Sequence, residues 1–216
     1  GVYYLTPENG QLHISLDRHS WIQVARLGLE KVPLAAGLID TAGFFWFRIK
    51  FGGIAMFDPS SRRWTQTPLG SREMFPPVLS LMETQSGDLW VGTDDGVLRY
   101  DPNNGVDSPY ESAQGVNLRR ITGLAEDLDR GGVWVSSSSA FRGVLYYDGN
   151  NWIREQRAGI DDYHISRIVQ DFLGEVWFLP QDPSADASWV YRSSVHTKNE
   201  IVRVDIDGGS YTVQDL

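Results

Sequence analysis

Apolar residues in this chain come in short runs, each broken by a glycine-bearing turn, and not at the i, i+3, i+4 spacing of an amphipathic helix. Four segments share one order: an apolar run, a Gly turn, then a Trp with apolar neighbours. They are Leu38-Ile39-Asp40-Thr41-Ala42-Gly43-Phe44-Phe45-Trp46 and residues 78–90, 121–134 and 165–177. Trp46, Trp90, Trp134 and Trp177 thus stand 44, 44 and 43 residues apart. A second track runs in phase with the first. Gly96-Val97-Leu98-Arg99-Tyr100-Asp101 recurs as Gly53-Ile54-Ala55-Met56-Phe57-Asp58 and as Gly143-Val144-Leu145-Tyr146-Tyr147-Asp148. Residues 1–10 align with 96–105, and a weaker copy lies at 200–205.

Residues 78–110 display the unit most plainly. Val78-Leu79-Ser80-Leu81-Met82-Glu83 reads as strand A, and Ser86-Gly87-Asp88 reverses the chain into strand B, Leu89-Trp90-Val91-Gly92-Thr93. Asp94-Asp95-Gly96 turns it into strand C at 97–100, and Asp101-Pro102-Asn103-Asn104-Gly105 leads to strand D, marked elsewhere by Trp64 and Trp152. A lone four-stranded sheet has two apolar faces and buries neither, so the units must stack with their Trp residues between sheets. A period of about 40–45 residues with four strands per unit is that of a β-propeller. The expected fold is all-β, a propeller of four-stranded antiparallel blades. A half blade (strands C and D) occupies 1–33, and four whole blades occupy about 34–72, 73–116, 117–160 and 161–216. Insertions at 19–33 and 180–199 interrupt the pattern, the second between strands B and C of the last blade. With no spare A and B strands to join the half blade, the chain is read as part of a larger propeller that does not close on itself.

Residues 78–101, with Leu89-Trp90-Val91-Gly92-Thr93, Asp95-Gly96-Val97 and Tyr100-Asp101, resemble the two-component regulator propeller repeat. The match is partial at 39–58 and 165–178. The third and fourth units carry Ser136-Ser137 and Leu179-Pro180 in place of Gly-Thr, and the third has one extra residue in its 129–132 turn. The resemblance implies the ligand-sensing input domain of a bacterial signalling protein, periplasmic or extracellular, set ahead of a membrane span and an output domain.

Composition narrows the partners. The chain has 216 residues with 28 Asp and Glu against 19 Lys and Arg, a formal charge of -9, so its field repels nucleic acid and anionic membranes. It has no Cys, which removes disulfides and thiolate chemistry, and no apolar run of 18 residues or charged leader, so neither a span nor a signal peptide is expected in this segment. The expected partners are a small-molecule or glycan ligand, further blades or an output domain, and a second copy of the chain.

No catalytic set emerges. His13, His19, His164 and His196 lack the spacing that puts two imidazoles on one metal. The 136–139 serine run has no Gly-x-Ser-x-Gly elbow, and Ser86-Gly87-Asp88-Leu89-Trp90 only mimics a sialidase box. Asp127-Leu128-Asp129-Arg130-Gly131 and Asp205-Ile206-Asp207-Gly208-Gly209 present Asp-x-Asp-x-Gly but lack the Glu that completes a calcium loop, so hairpin turns are the simpler reading. Asp40, Asp127 and Asp171, which precede the A–B turn in three units, are read as turn residues and not as a ring of ligands. No cofactor and no metal are expected.

Ligand-facing candidates are the residues that do not repeat, yet fall in the B–C and D–A loops that share one rim of a propeller. They are Arg48, Lys50, Arg72, Asp94, Arg119, Arg120, Arg142, Tyr163 and His164, with Phe51, Phe75 and Phe141 in the same loops. Several Arg on one rim of an acidic protein suit a carboxylated or sulfated glycan. The expected function is non-catalytic ligand sensing; the alternatives are a propeller enzyme, a lyase or glycan hydrolase, and a protein-interaction scaffold.

Overall fold

The computed structural model describes residues 3–5, 12–15, 19–24, 34–49, 53–67, 76–101, 105–106, 110–155, 159–181, 189–193, 201–207 and 210–214. Every extended segment among them belongs to an antiparallel sheet, and the helical content is one 3-10 turn, Ile160–Asp162. A three-stranded sheet comes first, β1 (Tyr3–Leu5), β2 (Leu12–Ser15) and β3 (Ile22–Val24). Two of its strands match the expected C and D; the third is built by part of the segment read as an insertion.

The first full blade is β4 (Leu34–Ile39), β5 (Phe45–Ile49), β6 (Ile54–Asp58) and β7 (Arg63–Thr67). The second is β8 (Val78–Glu83), β9 (Leu89–Thr93), β10 (Val97–Asp101) and β11 (Gly105–Val106), with Tyr110 extending the outer edge by a bridge to Val97. A small hairpin follows, β12 (Ser112–Ala113) and β13 (Val116–Asn117), which the repeat pattern did not announce. The third blade is β14 (Ile121–Asp127), β15 (Gly132–Ser137), β16 (Val144–Tyr147) and β17 (Trp152–Glu155).

The last sheet has five strands, β18 (Ile165–Gln170), β19 (Val176–Pro180), β20 (Trp189–Ser193), β21 (Ile201–Asp207) and β22 (Ser210–Gln214). The third strand of this sheet is therefore Trp189–Ser193, not the copy at 200–205, which moves out to fourth place. Its alternation explains the choice. Tyr191 reaches the buried core beside Val176 and Phe178, while its neighbour Arg192 turns to the other face and meets Glu175 at 3.4 Å.

Apolar clusters sit between blades, as the stacking argument requires. Trp46 packs with Leu89, Val91 and Leu98 of the second blade; Trp90 packs with Val133, Val135 and Leu145 of the third; Trp134 packs with Val176, Phe178 and Tyr191 of the last. Strand A of each blade contacts strand A of the next, which makes it the inner strand. No sheet among the described residues combines strands from both ends of the chain, so no closing blade is seen among them.

Candidate functional site

Strand A carries the same irregularity in all four blades. Its register against strand B slips between Ala35 and Leu38, Val78 and Ser80, Ile121 and Gly123, and Ile165 and Arg167. A bulge bends the inner strand and re-aims its side chains, here toward the common axis. The four inner strands line an open cavity of about 350 Å³, bordered by Gly37 of β4, Leu79, Ser80 and Leu81 of β8, Thr122 and Leu124 of β14, and Arg167 and Ile168 of β18, with Arg48 reaching in from β5.

Its polar groups are unequal. Arg48 donates from Nη1 to the Leu79 carbonyl at 2.8 Å, which ties the first blade to the second and fixes its guanidinium on the cavity wall. Ser80 Oγ donates to the Ile121 carbonyl at 2.8 Å. Thr122 Oγ1 is buried and has no hydrogen-bond partner. The Arg167 side chain is exposed at the cavity and makes no ion pair or hydrogen bond with another described residue. Further along the axis lie the acids. Glu83 accepts from the Thr41 backbone N–H and hydroxyl, and Glu126 accepts from the Gln85 N–H at 2.7 Å, so each acid caps a turn of the preceding blade. Burial pushes the Glu126 carboxyl above its ordinary range against the opposing pull of the Gln85 N–H, and the nearby charges of Asp88 and Glu83 add to the rise.

The rim candidates fall in several places. Asp94 and Asp95 of one B–C turn face Arg120 and Arg119 of the next D–A connection, with Arg119 Nη2 to Asp95 Oδ1 at 2.8 Å and Arg120 Nη1 to Asp94 Oδ1 at 3.5 Å. These exposed arginines are turned to their neighbouring turn. His164 Nδ1 lies 2.8 Å from the Phe141 carbonyl, which only accepts, so Nδ1 carries the proton. Tyr163 accepts the Gly143 N–H through its carbonyl, and its ring packs near that of Tyr191. Arg142 is exposed on the same loop, and Phe141 is buried beneath it. Arg48 belongs to strand β5 and not to the loop after it. Lys50, Arg72, Phe51 and Phe75 lie outside the described residues.

Sequence reasoning missed Arg167 and Thr122. The signal for Arg167 was present: it stands where the other three units have Ala36, Ser80 and Gly123. One long cation in a column of small residues is a departure that the repeat itself does not need.

No family model matches the chain, and no curated protein matches it in sequence. Solved structures do. The chain is similar to virginiamycin B lyase from Staphylococcus aureus, with a TM-score of 0.68 at 12% identity over 99% of this chain and 73% of the lyase. It is similar to the extracellular domain of BT3049, assigned as a hybrid two-component system of B. thetaiotaomicron, with a TM-score of 0.60 at 17% identity over 94% of this chain and 33% of that one. It is similar to PorZ, a bacterial surface component of the type-IX secretion system of Porphyromonas gingivalis, with a TM-score of 0.60 at 16% identity over 98% of this chain and 37% of PorZ. The chain spans about a third of the last two, and these likenesses establish an all-β, propeller-like fold of antiparallel blades.

Proposed function

We propose that the chain is a non-catalytic ligand-binding domain of a bacterial signalling protein, working in the periplasm or outside the cell. The axial cavity carries this reading. Its volume of about 350 Å³ falls at the small end of the range for small-molecule sites. Repetition accounts for the turn acids and the interblade Trp residues as frame, whereas Arg48, Thr122 and Arg167 on the cavity wall differ from blade to blade. The extracellular domains of two-component systems and the surface protein among similar structures support the location.

The likeness to a lyase favours a second reading, elimination chemistry at the same axis. Such chemistry needs a base within hydrogen-bond reach of the proton it removes. The described cavity lining holds neither a carboxylate nor a His, and Glu83 and Glu126 cap turns further along the axis. Equilibrium dialysis against a mixture of neutral and acidic oligosaccharides, followed by mass spectrometry of both compartments, separates the readings. Retention of an unaltered compound is the expected result. Accumulation of an unsaturated product would establish the lyase instead, and no retention of any compound would remove the binding role.

A further inference from the structure

We infer that the axial cavity takes an oxyanion, the carboxylate, sulfate or phosphate group of a small molecule, between the guanidinium groups of Arg48 and Arg167. The inference rests on the axis being the ligand site and adds the chemistry of what it holds. The charge of the wall is the first ground. In a chain of formal charge -9, the described lining of this cavity contains two arginines and no acid. The acids Glu83 and Glu126 are engaged by Thr41 and Gln85 and are not part of this lining.

Position is the second ground. Arg48 sits two residues after the strand-B Trp, where the other units have Gly92, Ser136 and Leu179, and Arg167 replaces Ala36, Ser80 and Gly123. Neither arginine is required by the blade, since blades form at these positions with small or apolar side chains. Arg48 is already oriented by its bond to the Leu79 carbonyl, so little freedom is lost when it meets a ligand. Arg167 is exposed, and the donors of its side chain are unspent among the described residues. An oxyanion offers acceptors to both guanidinium groups at once, and hydrogen bonds between charged partners are the strong ones.

Calorimetric titration of the chain with sodium glucuronate, sodium sulfate and uncharged glucose at low ionic strength tests this. One saturable site for glucuronate or sulfate, weakening as salt is added, with none for glucose, is expected. Arg167→Ala should lower that affinity by at least about tenfold, the scale of a lost charged hydrogen bond. Arg63→Ala, on the exposed outer strand β7, should leave it unchanged. Arg167 is exposed, so its replacement is compatible with folding, which a cooperative melt verifies. Glucuronate bound without sulfate identifies a carboxylate ligand, and sulfate bound as well identifies a general oxyanion site. Binding of neither anion overturns the inference, as does affinity that Arg167→Ala does not change. Glucose binding that is indifferent to Arg167→Ala overturns it too, but leaves the ligand-binding reading intact.

Discussion

Asp40, Asp127 and Asp171 each divide their carboxylate between two tasks. One oxygen accepts backbone N–H groups of the A–B turn, and the other accepts the indole N–H of Trp46, Trp134 or Trp177 at 2.7 to 2.9 Å. The turn role was legible from Asp before a Gly turn. The indole bond was not, because a contact six or seven residues on exists only once the hairpin register is known. For Asp171 burial opposes ionisation, but the donors Trp177, Leu173 and Glu175 and the charge of Arg192 outweigh it and hold the carboxyl below its ordinary range. A depressed folded pKa contributes stability above the unfolded value that is lost as pH falls through the folded one. Glu126 has the opposite sign. Its raised pKa makes the folded state bind the proton more tightly, so its carboxylate lowers stability as pH rises through that window. Glu126→Gln, which keeps an acceptor for the Gln85 N–H, should therefore raise Tm at pH 7, with the gain vanishing once Glu126 is protonated in both states. A Tm that falls at pH 7 would contradict the assignment. Asp127→Ala should cost about 1–3 kcal/mol by stranding the buried Trp134 N–H, read by chemical denaturation.

Within the blades the same space is filled from different strands. In the second blade Ser80 of strand A faces Gly92 of strand B, and in the third Gly123 faces Ser136. A Cβ on Gly92 would lie 2.1 Å from Ser80 Oγ, and one on Gly123 2.1 Å from Ser136 Oγ, so each pair has room for one hydroxyl. Gly123→Ser should accordingly cost less in a Ser136→Gly background than alone, with a coupling of about 0.5–3 kcal/mol; additive effects would mean the two positions do not share that space. A second pairing repeats at a distance. Asp88 with Arg99 at 2.9 Å and Glu175 with Arg192 at 3.4 Å hold equivalent places beside Trp90 and Trp177. In the third blade the acid gives way to Gly132, and Arg130 of the longer turn lies over the Tyr146 and Trp134 rings instead. Strands A to C of the regular blades were legible because glycine turns and Trp spacing fix them. The last blade was misread because its third strand lies in a segment without the Gly-apolar-Asp signature, and only the fit of Tyr191 and Arg192 against Val176 and Glu175 identifies it.

Across the molecule, stability depends on the layers between blades. Trp90 is buried at 3% exposure, and its ring meets those of Tyr110, Tyr147 and Trp152 at 5.5 to 6.5 Å. Trp90→Ala should cost about 3–5 kcal/mol through the cavity it opens, measured by denaturant unfolding, and a loss under about 1 kcal/mol would refute the blade register. The first full blade and the last differ on the faces turned away from the other blades. The far face of the first carries Phe45, Phe47 and Phe57, all buried, whereas the far face of the last leaves Val169 at 46% exposure. The stack of blades was legible from the period of the repeat. The axial site was not, because four inner strands converge on it from positions more than 40 residues apart, and one of its cations was read as a loop residue. Arg119→Ala combined with Arg120→Ala should leave ligand response and Tm nearly unchanged, since both arginines are exposed and face Asp95 and Asp94. A thermal-shift series with neutral and acidic saccharides tests most directly whether the chain binds a small molecule. A ligand present at 100 times its Kd contributes about 2.7 kcal/mol, or roughly 5–10 °C in Tm for a chain of this size. A saturable rise of that order with one class of compound is the expected result, and a cooperative melt that no compound moves would contradict the binding role.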